Sequence, residues 1–254
     1  MNTSSAPSQT VGRAIRLLRL IASSQSRNLR LVELAERAEL DKSTAHRLLQ
    51  RLLHEGLVVR DARARGYRLG PLLHELGLAA LPGSNLREVA AAPLEVLARS
   101  TGDMAFLVKR SGFETVCLER VTGAFAIQTL TQGVGDRHPL GVGAGGLAIL
   151  ASLADEEVKI VLRAVVPLLR RYKLNEKELT ARIDAVRGTG LALDQGSAAM
   201  DVTAVARAVH NPEGSPVGAV FVASIRSRMT EARIGEANKK IAACVQTIES
   251  RLRK

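Results

Sequence analysis

Cysteine is scarce: Cys117 and Cys244 are the only two in 254 residues, and no Cys or His stands near either at metal-ligand spacing. A disulfide scaffold and a zinc site are therefore not expected, and the thiol content suits a reducing compartment. Long apolar runs are lacking as well. The longest weakly polar stretch, Leu140 to Ala154, covers 15 residues and is rich in glycine, whereas a membrane-spanning helix needs about 20. Met1 to Gln9 is polar, without the apolar centre of a secretory signal. These absences predict a soluble, cytoplasmic protein with no membrane partner. Catalytic patterns are also missing. Neither G-x-S-x-G nor H-E-x-x-H occurs, and the five histidines (His46, His54, His74, His138 and His210) form no triad-like grouping. No catalytic residue, metal or cofactor is expected.

What is present is ordinary globular composition with an excess of positive charge. Apolar residues make up 46% and charged residues 24%, and 36 Lys and Arg face 25 Asp and Glu, a net of +11. The length suits one large domain or two modest ones, and the charge points to a polyanionic partner. Division at Leu81, before Pro82-Gly83, shows where the charge sits. Residues 1–81 hold 13 basic and 7 acidic side chains, and residues 82–254 hold 23 and 18. The first third is the more basic per residue. Lys42, Arg47, Arg51, Arg60, Arg63, Arg65 and Arg68 fall in one stretch whose only acids are Glu55 and Asp61.

Three helical patterns fill that first third. Val11, Ala14, Ile15, Leu18 and Ile21 recur at helical spacing, with Thr10 as N-cap. A short helix from Leu31 to Ala38 follows. After the turn at Glu39-Leu40, Asp41 is placed to cap a third helix from Lys42 to about Glu55, closed by Gly56. Ala45, Leu48, Leu49, Leu52 and Leu53 make its apolar stripe, and Lys42, Ser43, His46, Arg47, Gln50 and Arg51 its polar one. Polar groups near the N-terminus of the second helix of such a pair suit entry into a DNA major groove. Leu57 to Arg60 and Tyr67 to Leu69 flank a basic, Gly-containing loop and predict a hairpin, a wing that would carry Arg63 and Arg65 to the DNA backbone or minor groove. The alternative is a three-helix bundle with a surface hairpin that binds protein.

These segments resemble the IclR-type bacterial transcriptional regulators. Thr10 to Leu18 is similar to the family's first helix, and Asp41 to Leu49 with Glu55-Gly56-Leu57-Val58 to its recognition helix and the start of its wing. Gly66 to Gly70 and Leu76-Gly77 resemble the end of the wing and the linker. Thr101-Gly102-Asp103, His138-Pro139-Leu140, Gly145-Gly146 and Val217 to Val220 follow in the family's order.

Beyond the wing, Pro71 to Leu81 is a helical arm and Leu86 to Arg99 a helix with Pro93 as a kink or break. Hairpin strands at Met104 to Val108 and Thr115 to Leu118 precede a strand around Phe125 to Leu130, a glycine-rich turn and a helix towards Ala151. Helices start at Asp155, at Asn175 (a capping box with Glu178) and at Thr230, and strands cover Leu191 to Leu193, Val202 to Val209 and Val217 to Ile225. The expected fold is an N-terminal, essentially all-α winged helix-turn-helix (residues 1–70), a linker helix (71–82) and a C-terminal α+β domain (83–254). The resemblance makes the last of these GAF-like, on an antiparallel sheet.

Gly141 to Gly146 reads G-x-G-x-x-G, but His138-Pro139 precedes it and the nearest following acids, Asp155 to Glu157, read as a helix start. Two readings remain. The glycines either line a ligand pocket at a helix N-terminus or let a helix pack closely on a sheet. On the first reading, a bulky residue at Gly145 would leave the fold intact and block the ligand.

The resemblance implies an effector pocket lined by Ile127, Leu130, Ala144, Gly145, Asp194, Ala204, Phe221 and Ala223. Ala204 stands where many relatives carry a cysteine, Phe221 and Ala223 where some carry two pocket serines, and Leu147 where a lysine is common. These departures disfavour a small hydrophilic acid and favour a larger, partly apolar or aromatic one. Together these features predict a transcriptional regulator that binds double-stranded operator DNA as a homodimer or tetramer, through Lys42, Ser43, Thr44, His46, Arg47, Arg51, Arg63 and Arg65, under control of a small organic effector. The rival expectation is a small-molecule enzyme or transferase with a basic accessory domain.

Overall fold

The computed structural model describes residues 9–23, 29–61, 66–80, 86–125 and 132–253. The chain divides into two compact units, residues 1–83 with 133–135, and residues 84–132 with 136–254. Among the described residues, no helix is long and apolar enough to cross a membrane.

The first unit contains α1 (Gln9–Ser23), α2 (Leu31–Arg37), α3 (Lys42–His54), β1 (Val58–Arg60), β2 (Tyr67–Leu69) and α4 (Pro71–Ala80). Its core gathers one face each of α1, α2, α3 and the hairpin: Leu17 and Ile21 from α1, Leu34 from α2, Leu49 and Leu52 from α3, Val58 and Tyr67 from the hairpin. The turn between α2 and α3 is tight because Glu39 takes a left-handed backbone, φ 54°, and Leu40 N donates to Ala35 O at 2.9 Å. Arg16 of α1 fixes this turn by donating to Ala38 O at 3.0 Å. Two sequence expectations change here. Thr10 lies inside α1 and does not cap it. Asp41 occupies the N-cap position of α3, where its carbonyl accepts the first helical bond from Ala45 N, but its side chain makes no capping bond. Gly56 does end the helix, at φ 70°.

The second unit is a six-stranded antiparallel sheet in the order β5-β4-β3-β8-β7-β6. It is formed by β3 (Met104–Ser111), β4 (Glu114–Val121), β5 (Arg137–Pro139), β6 (Ala192–Gln195), β7 (Val202–His210) and β8 (Pro216–Ile225). Strand alternation gives each face its own core. Met104, Phe106, Val108, Ala204, Ala206, Phe221 and Ala223 face α6 (Gly143–Ala151), α7 (Asp155–Leu169) and α8 (Glu176–Thr189). Ala105, Leu107, Val205, Val220 and Val222 face α5 (Leu86–Thr101) and α9 (Glu231–Leu252). The sheet is antiparallel, so the glycine run does not follow the parallel strand that a dinucleotide site requires. Pro93 does not end a helix: α5 runs unbroken from Leu86 to Thr101. The three-residue edge strand β5 is too short to show in the sequence pattern, and the strand expected at Phe125 to Leu130 falls largely outside the described residues.

Candidate functional site

In the first unit, α3 buries Ala45, Leu49 and Leu52 and leaves Lys42, Ser43, His46, Arg47, Gln50 and Arg51 exposed, with Thr44 half-buried. The polar face therefore exists because the other face is consumed by the core. Within it, Arg51 pairs with Glu55 at 2.5 Å, and His46 and Gln50 approach to 3.4 Å. Lys42 and Arg47 form no ion pair among the described residues. The hairpin pairs Val58 with Leu69 and Arg60 with Tyr67, and Asp61 N closes its base on Gly66 O at 2.9 Å. Arg63 and Arg65, expected at its tip, lie outside the described residues.

In the second unit, strand register brings several of the expected effector residues together. Asp194 pairs with Ala204, Ala204 with Ala223, and Ala223 with Met104. Phe221, two pairs along and on the same face, stacks on Phe106 with ring centroids 4.6 Å apart. The N-terminal half of α6, with Ala144 and Gly145, covers this face. A Cβ on Gly145 would lie 2.8 Å from Val108 Cγ2 and 3.1 Å from Phe221 Cδ1, so the room this glycine leaves is filled by the sheet. A bulky residue at 145 would therefore require Val108 and Phe221 to shift, which weighs against the expectation that such a substitution leaves the fold undisturbed. Ile127 and Leu130 fall outside the described residues.

Asp194 is almost fully buried and joins three elements. Arg182 of α8 donates to its Oδ1 at 2.7 Å. Ser197 N and Ala198 N donate to Oδ2 at 3.2 and 3.4 Å, and the Ser197 hydroxyl donates to Oδ1. The same hydroxyl accepts Gly143 N, at the start of α6, at 3.2 Å. Arg182 and Ser197 were not found from sequence. Arg182 reads there as one more charge on a polar helix, and no spacing rule links it to Asp194. Beside this knot, α8, β6 and residues 196–200 border a cavity of about 740 Å³.

Nucleophile chemistry has little support. Burial pushes the thiols of Cys117 and Cys244 up to about 12, which keeps them protonated and unreactive. Burial lowers His138, which meets Tyr172 edge-on at 6.1 Å. Among the described residues, no group of three His, Cys, Asp or Glu could hold a metal ion.

The architecture is that of a two-part transcriptional regulator, a winged helix-turn-helix unit joined to an α/β sensor unit. Residues 10–62 match the IclR helix-turn-helix domain and residues 78–250 the bacterial transcriptional regulator IclR C-terminal domain. The chain belongs to the IclR family of DNA-binding regulators, whose C-terminal domain binds effectors. It is similar to the HTH-type transcriptional regulator KipR of Bacillus subtilis, 26% identical over 92% of each chain. It is also similar to the glycerol operon regulatory protein of Streptomyces griseus, 32% identical over 84% of each. Among solved structures, an IclR transcriptional regulator from Alicyclobacillus acidocaldarius shares 26% identity at TM-score 0.77, over 97% of this chain and 100% of that one.

Proposed function

We propose that the protein acts as a homodimer that sets two α3 helices into successive major grooves of a pseudo-palindromic operator. Lys42, Ser43, Thr44, His46 and Arg47 at the start of α3 meet base edges and nearby phosphates, Arg51 meets phosphate, and Arg63 and Arg65 extend the contact from the wing. The observation that carries this reading is the face of α3. Its basic and hydrogen-bonding side chains are exposed at the N-terminal half, while the opposite stripe anchors the helix in the core.

The second unit senses a small organic acid at the Asp194 end of the α6-covered sheet face. It performs no catalysis. Binding favours one arrangement of the DNA-binding units over another, and the response passes through α4, which joins the two units in sequence. Such control requires the effector to bind the two arrangements with different affinity. The experiment is to select operator sequences from random duplex DNA with the full chain, then to titrate the selected complex with organic acids. Recovery of a two-fold-related motif that an acid releases or tightens supports the reading. Recovery of no motif overturns it.

A further inference from the structure

The cavity of about 740 Å³ lies within the size range of small-molecule sites. Of the described residues expected to touch an effector, Asp194 alone lines it, and Ala144, Ala204, Phe221 and Ala223 are packed into the core. Asp194, however, has no capacity left for a ligand. An ionised carboxylate offers about four acceptor sites, and Arg182, the Ser197 hydroxyl, Ser197 N and Ala198 N take four.

Arg182 presents the opposite case. It lines the same cavity, and both of its hydrogen bonds, to Leu193 O and Asp194 Oδ1, leave from Nη2. Nε and Nη1 have no acceptor among the described residues. A guanidinium held on one edge by a carboxylate and open on the rest is a pre-set fork for an anion. Arg226 and Lys173 line the cavity too, and neither pairs with a carboxylate among the described residues. Arg226 donates to the Gln195 carbonyl at 3.0 Å. Glu178 is the one acid in the lining besides Asp194, and Leu147 and Met200 supply apolar surface.

We propose that this cavity binds a small organic anion with an apolar body. Its carboxylate is held by Arg182 and drawn in by Arg226 and Lys173, and Asp194 positions Arg182 without touching the ligand. The proposal rests on the reading of the second unit as an effector-binding domain, and it moves the polar anchor from Asp194 to α8. Because Asp194 also holds Ser197, which accepts the first amide of α6, an anion that pulls on Arg182 acts on the whole knot.

The test uses the full chain, titrated calorimetrically with benzoate and hexanoate and with their uncharged amides. Wild type is expected to prefer each acid over its amide by about tenfold or more, the effect of a charge-assisted hydrogen bond. Arg182→Gln abolishes that preference. Arg226→Gln breaks no ion pair, so it probes the site without disturbing Asp194, and it weakens the acids but not the amides. Asp194→Asn lowers affinity for the acids and keeps their preference over the amides, because the charge of Arg182 remains. The proposal is overturned if amides bind as tightly as acids, if Arg182→Gln keeps the full preference, or if no acid binds at millimolar concentration. Retention of the selected operator is measured on the same samples. A protein that holds the operator but fails these tests overturns the anion site alone, and one that holds no operator overturns the operator reading.

Discussion

Arg251, near the end of α9, donates from Nη1 to the carbonyl of Val89 in α5 at 3.3 Å. Val89 stands four residues before Pro93, so its carbonyl is the one that the proline, lacking an N–H, leaves without a helical partner. A side chain from another helix takes the place of the missing donor, and α5 continues through Pro93. Arg251→Ala is expected to cost about 0.5–1.5 kcal/mol. In a Pro93→Ala background the cost should fall towards zero, because the restored N–H takes the carbonyl. Urea unfolding of the four proteins of this cycle measures the coupling, and equal costs in both backgrounds would disprove the compensation.

A second anchor lies at the start of the sheet. Asp103 is 2% exposed. It accepts Arg233 Nη2 at 2.7 Å, the Ser224 hydroxyl at 2.8 Å and Arg228 Nη2 at 3.4 Å. Asp103→Ala would leave the half-buried guanidinium groups of Arg233 and Arg228 without their counter-charge and the Ser224 hydroxyl without its acceptor, at a cost of about 1–3 kcal/mol. Unfolding of the second unit at clearly lower denaturant is the expected result, with operator binding by the folded protein unchanged.

Gly145 is a packing position. Gly145→Ala should lower stability by about 1–3 kcal/mol, the usual cost of overpacking a filled core. Gly145→Leu should prevent the second unit from folding. Thermal unfolding followed by circular dichroism checks both. A folded Gly145→Leu protein of wild-type stability would show that α6 can lift from Val108 and Phe221.

Operator recognition separates into specific and general contacts. Arg47→Ala should cost about 1–3 kcal/mol and relax preference at one base position. Arg63→Ala with Arg65→Ala should weaken all sequences alike and reduce the salt slope by about two. Gel-shift titrations over a range of salt distinguish the two patterns, and an unchanged slope would remove the wing from the interface.

His138 gives the second unit a pH dependence on the acid side. Burial lowers its folded-state pKa below the ordinary 6.5. The unfolded chain therefore binds a proton first as pH falls, and stability that is complete above about pH 6.5 declines below it. His138→Gln should flatten this decline. The measurement is denaturant unfolding at a series of pH values between about 5 and 7.5, and equal slopes in the two proteins would assign the effect elsewhere.

Much of the first unit was legible because its signals are local. Buried and exposed positions of α3 follow the 3.6-residue repeat, and Gly56 marks its end. The helix starts were less legible. Thr10 and Asp41 are good capping residues by type, but Thr10 lies inside its helix and the Asp41 side chain makes no capping bond. In the second unit the strands showed through their β-prone runs, and Asn175 and Thr230 cap their helices as expected, accepting Glu178 N and Arg233 N.

The sequence by itself determined the order of the helices and the longer strands of the described residues, the family, the polar face of α3 and the division between a basic first third and the rest, because each is a matter of periodicity, composition or local motif. Only the tertiary structure decided the chemistry around Asp194. It placed Arg182, twelve residues earlier in the chain and on another element, at 2.7 Å from that carboxylate. It also turned Gly145 towards Val108 and Phe221, away from open space. Hydrogen bonds and close packing act over a few ångströms in space, while sequence spacing registers only neighbours along one helix or strand. A carboxylate's free capacity is therefore known only once every donor around it has been brought into place.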